Sequence, residues 1–244
     1  MSIDPTLPGL EEQAKSGDPH YVGHRERLRE RFLSEPEALP DYEILELLLA
    51  CVVPRKDTKQ LAKALIDEFG GFAEVLAAPH HVLEAFPSVA GAKLSAVAAT
   101  YLKVTEHAAL RMTRLKVLNK PILSSWDALL DYCNAAMARL PNEQFRLLFL
   151  DRKNVLIADE LQQQGTVDHT PLYPREVLKR ALTLNASALI MVHNHPSGDP
   201  TPSKADIEMT RAVRDALKAV SISLHDHLVI GRRGHTSFKS VGLL

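Results

Sequence analysis

From His24 to about Met112 the apolar positions recur at intervals of three and four, the period of helices with one buried face. The pattern begins with Arg25, Leu28, Arg29 and Phe32, continues through Asp41–Leu49, and then through Leu61–Ile66. Gly70-Gly71 ends that last stretch as a helix C-terminal signal. Phe72–Ala77, Val82–Phe86 and Lys93–Glu106 complete a compact helical domain, and Arg111–Lys120 reads as the linker that follows it. Downstream the period changes. Ser124-Ser125-Trp126-Asp127 caps a helix running to about Leu140, and Gln144–Asp151 with Asn154–Asp159 reads as a β-hairpin. Tyr173-Pro174-Arg175-Glu176 opens a helix through Leu184. The continuous apolar run Ala188–Val192 suits a strand buried on both faces. A helix from Lys204 and a strand over Ser221–Ile230, ended by Gly231, close the chain. The expected fold is an α/β (α+β) domain over 119–244 behind a small all-α, helix-hairpin-helix-like domain over 21–118. Residues 1–20, rich in Pro, Gly and acidic side chains, read as a mobile tail.

Composition narrows the class without naming a function. A hydrophobic content of 45% and a charged content of 24% are those of an ordinary globular protein. No apolar run reaches membrane-spanning length, and Met1-Ser2-Ile3-Asp4-Pro5 has no basic segment leading into an apolar core, so neither a membrane partner nor a secretion signal is expected. Cys51 and Cys133 lie in separate apolar stretches and read as free thiols in a reducing compartment, which places the chain in the cytoplasm. Residues 1–118 carry 14 basic against 17 acidic residues, a charge of −3; the remainder carries 15 against 13, a charge of +2. Neither half has the basic excess of a strong nucleic-acid binder.

The chemistry concentrates between residues 193 and 206, which read His193-Asn194-His195-Pro196-Ser197-Gly198-Asp199-Pro200-Thr201-Pro202-Ser203-Lys204-Ala205-Asp206. Alternation at a strand end points His193 and His195 the same way and Asn194 the opposite way. Three prolines and Gly198 then break the ladder and force a turn. Ser203 N-caps the next helix, and Asp206 sits in its first turn, where a carboxylate is favoured and can turn back toward the imidazoles. Two histidines and one aspartate leave a fourth position open, as in catalytic rather than structural zinc sites, so one Zn2+ held by His193, His195 and Asp206 is the expected cofactor. Taken piece by piece, His-x-His is a weak signal and Ser-x-x-Asp is an ordinary capping box; ligand types, turn chemistry and spacing agree only in combination.

The pattern His193-x-His195-x7-Ser203-x2-Asp206 resembles that of the JAB/JAMM (MPN) metalloenzyme domain, and with Tyr173-Pro174-Arg175-Glu176 upstream it is similar to the RadC branch. The segment His24-Arg25-Glu26-Arg27-Leu28-Arg29 also resembles RadC, so the likeness extends over nearly the whole chain. The resemblance implies a zinc-dependent hydrolase, metallopeptidase- or isopeptidase-like, in which a metal-activated water attacks an amide carbonyl. It also implies a general base near an early strand, a place that Glu143 occupies, with Glu160 and Glu176 as rivals. Ser203 is implied as an oxyanion donor, a role compatible with capping its helix and orienting Asp206. The repair label attached to RadC motivates the alternative of a DNA-associated accessory protein whose metal domain is structural or a docking platform.

Other motifs carry less. Phe86–Leu94 resembles a helix-hairpin-helix, but Ser88-Val89-Ala90 stands where that module's Gly-hydrophobic-Gly turn presents backbone N–H groups to phosphate. The alternating charges of Arg25–Arg31 read as a solvated helix face. His225-Asp226-His227 lies mid-strand without a following Ser-x-x-Asp, so it reads as hydrogen-bonding residues, with His227 near the site from a neighbouring strand.

Overall fold

The computed structural model describes residues 21–53, 56–118, 120–164 and 172–244. Residues 1–20, expected to form a tail, lie outside the described residues. The chain divides into two compact units, Met1–Tyr101 and Leu102–Leu244.

The first unit is helical: α1 (Tyr21–Ser34), α2 (Asp41–Val52), α3 (Lys59–Phe69), α4 (Phe72–Ala77), α5 (His80–Ala85) and the start of α6 (Ala96–Val117). The periodic leucines form its core, with Leu28, Leu45, Leu49, Leu61, Leu65, Leu83 and Leu94 buried. Gly70 ends α3 in the left-handed conformation, φ 98°, donating its N–H to Ile66 O. Between α5 and α6 the chain turns at Ala90 and Gly91, both at positive φ, and Val89 and Ala92 exchange their N–H and C=O groups at 2.8 and 2.9 Å. The turn therefore overlaps the expected Ser88-Val89-Ala90 only at Ala90, and the Val89 and Ala92 N–H groups that flank it are spent on each other's carbonyls.

The expected linker is helix. Nothing in Arg111–Val117 breaks a helical ladder, so α6 continues until Val117, which is buried against Ile122 in the second unit; the first proline is Pro121.

The second unit is a five-stranded sheet in the order β2-β1-β3-β4-β5, from β1 (Gln144–Leu150), β2 (Leu156–Gln164), β3 (Ala188–Asn194), β4 (Ser223–Gly231) and β5 (Gly234–Ser237). It also holds α7 (Trp126–Met137), α8 (Pro174–Thr183) and α9 (Lys204–Lys218). All neighbouring strands pair antiparallel except β3 and β4, whose parallel pairing needs the α9 crossover. All seven residues of β3 are buried, as its unbroken apolar run requires.

Alternation assigns the two faces. Leu148, Leu150, Ile190, Val192, Leu228 and Ile230 pack with α7, whereas Phe145, Leu147, Phe149, Leu189 and Met191 pack with Val177 and Ala181 of α8 and Val213 and Leu217 of α9. His193 continues the second series at the end of the central strand. Fold physics thus delivers a buried imidazole to the point where β3 opens into a proline-rich turn.

Candidate metal centre

His193 and His195 leave β3 on one side, with their Nε2 atoms 3.0 Å apart. Asp206 comes from the first turn of α9, with Oδ1 3.3 Å from His193 Nε2 and Oδ2 3.5 Å from His195 Nε2. The three donor atoms all lie within 4.8 Å of one another. The turn that joins them is packed tightly on the end of β4: His195 N–H donates to Ile230 O at 2.9 Å and Arg233 N–H to Gly198 O at 3.2 Å. A Cβ on Gly231 would stand 2.4 Å from Gly198 O, so only glycine admits this approach.

Helix α9 begins with a complete capping box. Ser203 Oγ accepts from Asp206 N–H at 3.1 Å, and Asp206 Oδ2 accepts from Ser203 N–H at 2.7 Å. The Ser203 hydroxyl also donates to Asp206 Oδ2 at 2.7 Å, which orients the carboxylate toward the histidines. Burial raises the Asp206 pKa, but hydrogen bonds from His193 and His195 in their protonated forms, and from Ser203, outweigh it and hold the carboxyl far below its ordinary range. The hydrogen bond to Asp206 raises His195 despite partial burial, with the Glu143 charge adding to the shift.

Proton bookkeeping fixes the ring tautomers on this geometry. Thr210 Oγ1 donates its one proton to Asp206 O at 2.5 Å, so at 2.6 Å it accepts from His227 Nδ1–H. His227 Nε2 then accepts from His193 Nδ1–H at 2.8 Å, which leaves His193 Nε2 with a bare lone pair. Burial, and then the neighbouring His193, depress His227 well below an ordinary imidazole, in keeping with this neutral form. His195 Nδ1 donates to Asp199 O at 2.8 Å, so in the neutral ring, the form that binds a metal, its Nε2 is a lone pair as well. Two imidazole lone pairs facing each other beside a carboxylate repel unless a cation lies between them, and that donor set fits a divalent transition metal.

Glu143 reaches this end of the sheet through Asn194. Asn194 Oδ1 accepts from Gln144 N–H at 2.8 Å and its Nδ2 donates to Asn142 O at 3.2 Å, pinning the residues on either side of Glu143. Asn194 therefore anchors the segment entering β1. Glu160 is engaged elsewhere: Arg180 Nε meets both its oxygens at 3.0 and 2.8 Å and lowers its pKa by hydrogen bonding. Glu176 sits in the first turn of α8, 3.3 Å from Arg175. Phe145 forms the floor, stacked on His193 with ring centroids 5.4 Å apart and 7° between planes.

The second His-x-His splits. The β3–β4 register slips between Leu224 and Asp226, leaving His225 unpaired, and its Nε2 turns to Asn154 Oδ1 at 2.6 Å. His227 stays buried beneath His193. Thr210 was missed by sequence reading, although its place one helical turn after Asp206 is the signal that could have found it.

Comparison with known proteins places this geometry in a family. The model of the RadC-like JAB domain matches residues 123–243. A UPF0758 protein of Rhodobacter capsulatus is 60% identical over 218 residues, covering 89% of this chain and all of the relative. A UPF0758 protein of Ruegeria pomeroyi is 56% identical over 228 residues, covering 93% of this chain and all of the relative.

Proposed function

The chain belongs to the UPF0758, or RadC, family, and we propose that it is a metal-dependent hydrolase of JAMM type acting on amide or isopeptide bonds. The observation that carries this reading is the convergence of two imidazole nitrogens and one carboxylate on one point, with His195 partly exposed. His193, His195 and Asp206 are the proposed ligands and zinc the proposed ion. When bound there, it polarises a carbonyl and brings the pKa of a bound water to about 7. Glu143, held at the site's edge by Asn194, is the proposed general base, accepting the water's proton and returning it to the leaving nitrogen. Ser203 keeps Asp206 aimed at the centre, and its hydroxyl is the donor available to a developing oxyanion if it lets go of Asp206 Oδ2. Among the described residues no helix is long and apolar enough to cross a membrane.

Glu143→Gln separates chemistry from binding. The variant is expected to keep its metal and to lose about 10²–10⁴-fold in turnover of a peptide or isopeptide substrate. Full turnover in that variant would remove Glu143 from the mechanism. A reading as a DNA-binding accessory protein has less support, because the Val89 and Ala92 N–H groups of the hairpin are already paired with each other.

A further inference from the structure

A second cluster of chemistry lies on the other face of the sheet. Phe145 stacks on His193, whereas the next residue, Arg146, points to the α7 side and lines a cavity of about 410 Å³. The walls are His107, Leu110, Arg111 and Arg114 from α6, Tyr132 and Ala136 from α7, and Asp159 and Leu161 from β2.

The floor is built before any ligand arrives. The Asp159 side chain, 1% exposed, accepts from Arg146 Nη1 at 2.6 Å and from the Tyr132 hydroxyl. Both of its oxygens are therefore spent. Burial and then the Asp159 charge and hydrogen bond push the Tyr132 hydroxyl far above its ordinary range, so it remains a neutral donor. Arg146 is fixed on a strand by a buried carboxylate, unlike a surface arginine that must be ordered on binding. Its Nη2 bonds to none of the described residues. Arg111 and Arg114, exposed at i and i+3 on α6, stand over the same cavity, and among the described residues no carboxylate but Asp159 lines it. The lining thus carries three guanidinium charges against one carboxylate in a chain whose overall charge is −1.

We propose that this cavity binds a small organic phosphate monoester, its phosphate held by Arg146, Arg111 and Arg114 and its body lying against Leu110, Ala136 and Leu161. Guanidinium forks match phosphate oxygens in pairs, and at neutral pH the monoester is close to a dianion, which balances the surplus of two positive charges. The volume falls within the range of small-ligand pockets and is far more than a bare phosphate ion fills. The site is independent of the proposed hydrolase chemistry, because the sheet separates Arg146 from His193.

Isothermal titration at low salt with AMP, ribose 5-phosphate, inorganic phosphate and adenosine tests it, using metal-free protein so that no phosphate can be held by an ion. AMP and ribose 5-phosphate are expected to bind with submillimolar Kd, inorganic phosphate more weakly, and adenosine not at all. Arg111→Ala/Arg114→Ala, both changes at exposed positions, is expected to weaken the monoesters by about tenfold or more, while His195→Ala leaves their affinity unchanged. Three results would each overturn the proposal: equal binding by wild type and the double variant, adenosine binding as well as AMP, or binding of single-stranded oligonucleotide with no binding of monoesters.

Discussion

His193-Asn194-His195 and His225-Asp226-His227 are the same three-residue pattern on adjacent parallel strands, and the fold gives them different work. The first pair stands where β3 ends, His193 on the buried sheet face within the strand and His195 just beyond it, and each ring's Nδ1 is tied to a neighbour. The second pair lies inside β4, where a one-residue slip in register turns His225 toward the β1–β2 loop and leaves His227 alone in the core. A metal centre thus depends less on which residues occur than on where a strand stops. The buried member of the second pair serves the first: His227 holds the His193 tautomer, as the outer hydrogen bonds of metal-bound histidines generally do.

That division of labour can be broken in graded ways. Phe145→Ala removes the ring that stacks on His193 and touches His227, and should cost about 3–5 kcal/mol in denaturant unfolding, as a large aromatic lost from a closed core does. A loss below about 1 kcal/mol would mean that the metal end of the sheet is loosely packed. His227→Gln should lower zinc affinity about 10–100-fold in chelator competition while the protein stays folded. Thr210→Val, which leaves His227 Nδ1–H without its acceptor, should act in the same direction by about tenfold. His225→Gln is the counterpart: it should forfeit about 1 kcal/mol for one hydrogen bond and leave zinc affinity unchanged. Equal effects of the His225 and His227 changes on metal binding would erase the distinction between the two pairs.

These contrasts also show which parts of the molecule can be read from sequence. The β3 run, the proline turn and the Ser203–Asp206 capping box were legible because each follows from residues a few positions apart. Asn194's part in holding Glu143 was not, since it depends on β1 lying beside β3, fifty residues away in sequence. The slip at His225 depends likewise on a neighbouring strand. Arg111–Val117 misled for a different reason. Its charged surface positions suggest a linker, but helix persists wherever nothing breaks it, and Val117, itself part of the second unit, is buried in that unit's core. The arginine cavity was invisible for the same reason as the Asn194 contact, being assembled from α6, α7, β1 and β2.

The most direct test of the account is metal content by mass spectrometry of protein purified without chelator, comparing wild type with Asp206→Ala. Asp206 supplies one donor to the centre and the acceptor that orders the Ser203 end of α9, so its removal should abolish the site. The account predicts about one equivalent of zinc in wild type and almost none in the variant. The same zinc content in both proteins, or none in either, would contradict it.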